Sequence, residues 1–338
     1  MVILGVETSC DETSAAVLRD DEVLSNIISS QAVHAKFGGV VPEIASREHI
    51  RLLLPIVQQA LQDAEVTIDH LDGLAVTYGP GLVGALLVGL NFIKGLSKAT
   101  AKPFIGVNHM EGHIYGNLLT NQVEHFPVLF LIVSGGHTQL VLMKDHLKYQ
   151  IIGSTRDDAV GEAFDKGAKM LGLGYPGGPE IDRRAQQGNR DFYHFPRAVL
   201  RESPLDFSYS GLKTALLTYI QKQDREHLEL HMNDICASYQ TAAIDVLVQK
   251  TINAAQLYGV KQVGVAGGVA ANSLLRKWLQ KECEEKGIVL LLPELVYCTD
   301  NAAMIARTGM EYIKRKMYSK QNLNAVPSLT LDVPYKHD

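Results

Sequence analysis

Cysteine is scarce in this 338-residue chain, and its four copies, Cys10, Cys236, Cys283 and Cys298, fall at irregular positions with no CxxC pair. That spacing argues against a disulfide framework and against a zinc–thiolate site, and it fits small buried side chains in a reducing compartment. Long hydrophobic runs are missing as well. The longest, residues 82–90, ends at Asn91 and Lys94, well short of the ~20 residues of a membrane span. The first ten residues run straight into Asp11 and Glu12, without the basic flank and apolar core of a signal peptide. The expectation is a cytoplasmic protein with no membrane association. There is no surplus of positive charge either: a net charge of −5 excludes the broad positive field of a stand-alone nucleic-acid binder. RNA contact would therefore need a partner or a local basic patch, for which Arg197, Arg201 and Lys213 are candidates. Low-complexity tracts are absent.

What remains is an ordinary soluble composition, 46% hydrophobic and 20% charged, in a chain long enough for two domains of roughly 100 to 200 residues. Short apolar runs at 2–6, 15–18 and 23–28 around the polar turn Thr-Ser-Cys-Asp-Glu-Thr predict a β-meander. A helix follows over 42–64, with Pro42 as its opener and Ile50, Leu53, Leu54, Val57 and Leu61 at helical spacing. Next come a strand over 71–77, Gly-Pro-Gly at 79–81, and a helix over about 82–100. The second half repeats this grammar: strands 128–133 and 139–143 flank Ser-Gly-Gly-His-Thr, and strand 262–266 runs through Gly-Gly into a helix over about 272–286. We read this as a duplicated α/β domain, two halves whose turns would line one cleft. The layout resembles the two-lobed actin/Hsp70/sugar-kinase (ASKHA) fold. The expected division is 1–124 and 125–300, with a last helix, about 301–325, packing back on the first lobe.

Two glycines and two hydroxyls in the turn at 134–138 suit backbone binding of a phosphate or carboxylate. The Gly-Gly-Val-Ala-Ala-Asn junction at 267–272 aims helix amides the same way, although Asn272 could also serve only as a helix cap. Asp165 interrupts an apolar helical face formed by Val160, Ala163, Phe164 and Met170, where a ribose hydroxyl would satisfy it. Gly177 and Gly178 permit close approach of a planar base, and Asp182 could take a second sugar hydroxyl. His109 and His113 stand four residues apart on one helical face, a spacing that can chelate a divalent ion. The acid between them, Glu111, is out of place for the HExxH arrangement. Asp300 could complete the ligand set or merely cap the helix that starts near Ala302.

The motifs carrying these residues, read in order, are Gly-Val-Glu-Thr-Ser-Cys-Asp-Glu-Thr-Ser (5–14), Val-Pro-Glu-Ile-Ala-Ser-Arg-Glu-His (41–49), Gly-Pro-Gly, His-Met-Glu-Gly-His, Ser-Gly-Gly-His-Thr-Gln, Glu-Ala-Phe-Asp-Lys, Tyr-Pro-Gly-Gly-Pro, Phe-Ser-Tyr-Ser-Gly-Leu-Lys-Thr (207–214), Ala-Gly-Gly-Val-Ala-Ala-Asn and Cys-Thr-Asp-Asn. Together they resemble the bacterial TsaD family of tRNA N6-adenosine threonylcarbamoyltransferases, over nearly the whole chain to about Met310. Many relatives carry another histidine where this sequence has Asn108.

The resemblance implies one divalent metal, Fe2+ with Zn2+ or Mg2+ as alternatives, on His109, His113 and Asp300. It implies substrate contacts from Ile132, Val133, Ser134, Gly135, Gly136, Asp165, Gly178, Asp182 and Asn272. The implied reaction passes the acyl group of threonylcarbamoyl-AMP to N6 of adenosine 37, next to the anticodon, in tRNAs reading codons that begin with adenine, and releases AMP. The implied partners are tRNA, a TsaB-like paralogue and a TsaE-like ATPase. Asp11 and Glu12 are candidates for taking the proton from the amine. A metalloprotease is disfavoured because no glutamate stands where the general base belongs. A small-molecule kinase of the same superfamily would hold magnesium through carboxylates, which the histidine pair fits badly. A non-catalytic nucleotide-binding scaffold would not need the three metal-type residues.

Overall fold

The computed structural model describes residues 1–332. Two compact units divide the chain: one takes Met1–Gln122, His146–Lys148 and the chain from Pro293 on, and the other takes Val123–Asp145 and Tyr149–Leu292.

In the first unit the expected meander forms as β1 (Val2–Glu7), β2 (Glu12–Arg19) and β3 (Glu22–Ser30), paired antiparallel with Val6 opposite Ala15 and Ala16 opposite Asn26. Helix α1 (Pro42–Asp63) begins with Pro42 in its first turn. Strand β4 (Gly73–Gly79) starts two residues later than the apolar run suggests. Leu71 still belongs to the preceding 3-10 turn, its N–H donating to the Ile68 carbonyl. Helix α2 (Val83–Thr100), strand β5 (Phe104–Asn108) and helix α3 (His109–Asn117) follow. The sheet order is β3-β2-β1-β4-β5, with β1, β4 and β5 parallel.

The second unit repeats the order. Strands β6 (Val128–Val133), β7 (Thr138–Asp145) and β8 (Lys148–Ser154) form the meander. After them come α4 (Val160–Met170), α5 (Gly177–Ala185), α6 (Ser210–Lys222), α7 (Arg225–Leu230) and the long α8 (Met232–Leu257). Strand β9 (Gln262–Ala266), helix α9 (Ser273–Glu285) and strand β10 (Val289–Leu291) complete it. Its sheet, β10-β9-β6-β7-β8, has the first sheet's topology strand for strand.

The last helix, α10 (Ala302–Lys314), lies against the first sheet. Successive residues of β1 point to opposite faces. Leu4 and Val6 therefore join α1 and α2 in one core, while Ile3 joins Ala302–Ala306, Met310 and Ile313 of α10 in the other. Gly5 lets α10 come close: a Cβ there would sit 2.5 Å from the Ala302 carbonyl oxygen. Among the described residues no helix is long and apolar enough to cross a membrane.

Candidate functional site

Strand β5 delivers the chain into α3, whose first residue is His109. Asn108 caps that helix, its side-chain oxygen accepting from Met110 N at 2.8 Å. An amide side chain at this position satisfies one of the free N–H groups of the first helical turn. His109 and His113 are buried rather than surface residues, and their rings meet edge-on with centroids 4.7 Å apart.

Asp300 stands just before α10, but it is not the cap. Asn301 accepts from Met304 N at 3.0 Å and fills that role, leaving the Asp300 carboxylate to the histidines. Its Oδ1 lies 3.4 Å from His109 Nε2 and 3.2 Å from His113 Nε2. One ligand-type atom from each of the three residues falls within 4.8 Å of the other two. Both ring nitrogens of His113 are buried without a hydrogen-bond partner. An unpartnered buried imidazole costs free energy unless something accepts its lone pair. Two imidazoles and a carboxylate suit Fe2+ or Zn2+ better than Mg2+, which prefers oxygen donors. The residues present therefore fit a divalent ion of the former kind.

Glu7, the last residue of β1, supplies a part that the sequence reading missed. It is fully buried, and its Oε2 lies 3.1 Å from His109 Nδ1 and accepts from the Thr77 hydroxyl. Ser9 Oγ is 3.2 Å from the same nitrogen. This arrangement places a proton on Nδ1 and turns Nε2 toward Asp300, as carboxylate–histidine pairs behind metal ions do. Burial alone would raise the carboxyls of Glu7 and Asp300, yet His109 holds both below the usual range. Burial alone would lower His109, and Asp300 and Glu7 raise it well above the ordinary value instead. The readable signal was a carboxylate ending an otherwise apolar strand.

Asp11 and Glu12 lie at the β1–β2 turn. The turn is pinned from below: Asp11 O accepts from Gln31 N at 3.1 Å, and the buried His49 ring reaches Cys10 O at 2.9 Å and Thr13 Oγ1 at 2.8 Å. Burial, then Asp300 and Asp11, push the Glu12 carboxyl up to about 9.

In the second unit the other candidates form linked turns. Ile132 and Val133 end β6, and Ser134 closes the turn by accepting from His137 N. Gly135 and Gly136 are exposed, and a Cβ on either would meet nothing within 4 Å. Behind them, a Cβ on Gly161 would strike the Ser134 carbonyl at 2.5 Å, and Gly267, at φ 92°, lies equally close to Val133. Asp165 accepts from Gly177 N at 2.8 Å, tying α4 to the turn that carries Gly178. Asp182 accepts from Ser273 Oγ at 2.7 Å, tying α5 to α9. Asn272 does cap α9, accepting from the N–H groups of Leu274 and Leu275, and its amide donates to Gln240. Of the basic residues expected to form an RNA patch, Lys213 is paired with Asp158 and Arg197 with Asp245.

The family described as TsaD, tRNA N6-adenosine threonylcarbamoyltransferase, matches residues 22–307. A protein of that name from Clostridium botulinum is 54% identical over 332 residues, 97% of each chain. Another from Thermosipho africanus is 50% identical over 98% of this chain and all of its own. Among solved structures, T. kodakarensis HypF superposes with a TM-score of 0.61 at 14% identity, over 94% of this chain and 48% of that one. The (R)-2-hydroxyglutaryl-CoA dehydratase component A of Acidaminococcus fermentans does so with 0.52 at 14%, over 93% and 99%.

Proposed function

The chain belongs to the TsaD family of tRNA N6-adenosine threonylcarbamoyltransferases and has its duplicated α/β fold of the ASKHA type, and from that premise we propose that it acylates N6 of adenosine 37 in tRNAs reading codons that begin with adenine. The acyl donor is threonylcarbamoyl-AMP. The exocyclic amine attacks the carbonyl carbon of this mixed anhydride, the bond from that carbon to the phosphate oxygen breaks, AMP leaves, and the amine gives up one proton. The Asp11 carboxylate is the acceptor offered for that proton. Glu12, the other candidate, has its carboxyl pushed up to about 9 by burial and by Asp300 and Asp11, so it holds a proton of its own at neutral pH and could accept one only after losing it.

The observation that carries the metal-dependent reading is the His109–His113–Asp300 group, with His113 buried, its Nε2 facing Asp300 Oδ1 and its Nδ1 without a hydrogen-bond partner. A divalent cation held there, Fe2+ by family resemblance, would supply Lewis-acid polarisation or orientation of the acyl group. Glu7, facing His109 Nδ1, would keep a proton on that nitrogen when Nε2 gives its own up to a cation. In the second unit, the open amides of Gly135 and Gly136 suit the phosphate of the leaving group. The turns fixed by Asp165, Asp182 and Asn272 suit its sugar and base. An adenine amine is a weak nucleophile, so positioning supplies much of the rate. The target base lies in a single-stranded loop, where it can be splayed out without opening a duplex.

Cooperation with a TsaB-like paralogue is supported by an unpartnered apolar face on α1 and α2. Ile50 is 70% exposed and Leu54 53%, with Leu87 and Phe92 lining the same surface. Clusters of that kind mark protein contacts. The test is to incubate the purified chain, threonylcarbamoyl-AMP, unmodified tRNA, the paralogue and the TsaE-like ATPase, and to analyse the nucleosides. Modified adenosine in the wild type and none with His113→Ala is the expected result.

A further inference from the structure

Glu111 sits between the two histidines of the His-Met-Glu-Gly-His run, about 200° around the helix from each. Its carboxylate is engaged elsewhere: Tyr312 Oη donates to both oxygens, at 2.8 and 3.0 Å. Both residues are buried, and Tyr312 lies near the far end of the helix that Asp300 precedes. Between the two helices there is little room. A Cβ on Gly112 would come within 2.7 Å of Ile305 Cδ1, and one on Gly116 within 3.2 Å of Met304 Cβ. The start of α10 is fixed as well, by Ala302 N donating to Ser14 Oγ at 2.9 Å and by the Asn301 cap.

Helix α3 thus carries two of the candidate ligands, and the third, Asp300, stands immediately before the Asn301 cap of α10. The two helices touch through glycines, and a buried carboxylate–phenol contact joins them away from those ligands. Close-packed helices that lose such a contact can slide or tilt by a few tenths of an ångström with little change in buried area. Metal ligation is far less tolerant, because ligand bonds near 2 Å must be met from fixed backbones. We propose that Glu111 and Tyr312 are positioning residues that lock α3 against α10 and so hold His109, His113 and Asp300 at ligating distance. This rests on the metal reading above. It gives Glu111 a role unlike that of a protease base: it supports the metal group through the helix and does not touch substrate.

The test is a Co2+ titration of the full-length, metal-free chain, followed by calorimetry and by the visible ligand-field bands, at a temperature where each variant is shown to be folded. Wild type should bind, and His113→Ala should lose binding. Tyr312→Phe should bind roughly tenfold to a hundredfold more weakly, with altered bands, as removal of support behind metal ligands does. Glu111→Gln keeps a carbonyl oxygen to accept from Tyr312 and should fall between the two. If Tyr312→Phe fails to fold, Glu111→Gln and Tyr312→His carry the comparison. A variant that melts earlier but keeps the wild-type affinity and bands overturns the lock and leaves the metal reading standing. Wild type without Co2+ binding, or His113→Ala binding as well as wild type, overturns the metal reading itself.

Discussion

His113 Nε2 lies 3.2 Å from Asp300 Oδ1, yet neither nitrogen of that imidazole makes a hydrogen bond. A capping role for Asp300 and a ligand role have different consequences, and the cap belongs to Asn301. Asp300→Ala should therefore reduce bound metal, and any loss of stability should come from breaking the buried pair with His109 rather than from a missing cap. His109→Ala and His113→Ala should also reduce bound metal. Metal analysis beside denaturant melts of the metal-free proteins separates the two roles. A destabilised Asp300→Ala that kept its metal would reverse the assignment.

Glu7 predicts a subtler effect. Glu7→Gln can present an oxygen to His109 Nδ1 but removes the charge that favours the Nδ1–H tautomer. Metal affinity should drop by roughly tenfold or more, the usual result of weakening a carboxylate behind a ligating histidine. Equilibrium dialysis with Zn2+ measures it, and unchanged affinity would show that the neutral amide and Ser9 suffice to orient the ring.

The glycines of the second unit separate space for a ligand from space for the fold. A side chain at Gly161 collides with the Ser134 carbonyl, whereas one at Gly136 meets open space. Gly161→Ala should lower the melting temperature. Gly136→Val should fold like wild type but bind AMP at least tenfold more weakly, because the bulk stands where backbone amides would meet the phosphate. Thermal melts and AMP calorimetry on both variants check this. Undiminished AMP binding by Gly136→Val would move the phosphate elsewhere.

Much of this was legible in the sequence because the signals were local. Apolar runs around hydroxyl-rich turns located the first meander and the first two strands of the second, and two histidines at helical spacing announced a shared face. The missing parts depend on packing. Helix α8 is buried on most of its surface, so no apolar stripe marks it out. Strand β8 is half exposed and starts in a charged turn. Glu7 precedes Thr8 and Ser9 and looks like part of a polar turn, but in the fold it closes a buried strand. Asp300 could be weighed as a cap or as a ligand only until the neighbouring Asn301 was seen doing the capping.

The exposed face of α1 and α2 offers a test independent of chemistry. Ile50→Asp and Leu54→Asp replace exposed side chains, so stability should stay within about 0.5 kcal/mol of wild type. Co-elution with the TsaB-like paralogue should be lost, because a charge buried at an apolar contact is left unpaired. Persisting co-elution would place the partner on another surface.

The last prediction concerns pH and a group away from the metal ligands. Glu311 is buried on α10, accepting from Arg307 at 2.7 Å and from Arg315. Burial alone would raise its carboxyl, but the two guanidinium groups hold it down at about 2, against an ordinary 4.5. A carboxyl lowered in the folded state contributes stability above its unfolded value and loses it as pH falls toward its folded value. Above pH 5.5, Glu311→Gln should cost a constant amount, at most about 3 kcal/mol for a shift of this size. The difference between the two proteins should shrink below pH 4.5 and be nearly gone near pH 2. Urea melts of both proteins across that range give the curve. A difference that stayed flat down to pH 3 would mean that Glu311 contributes by packing alone, with its charge playing no part in stability.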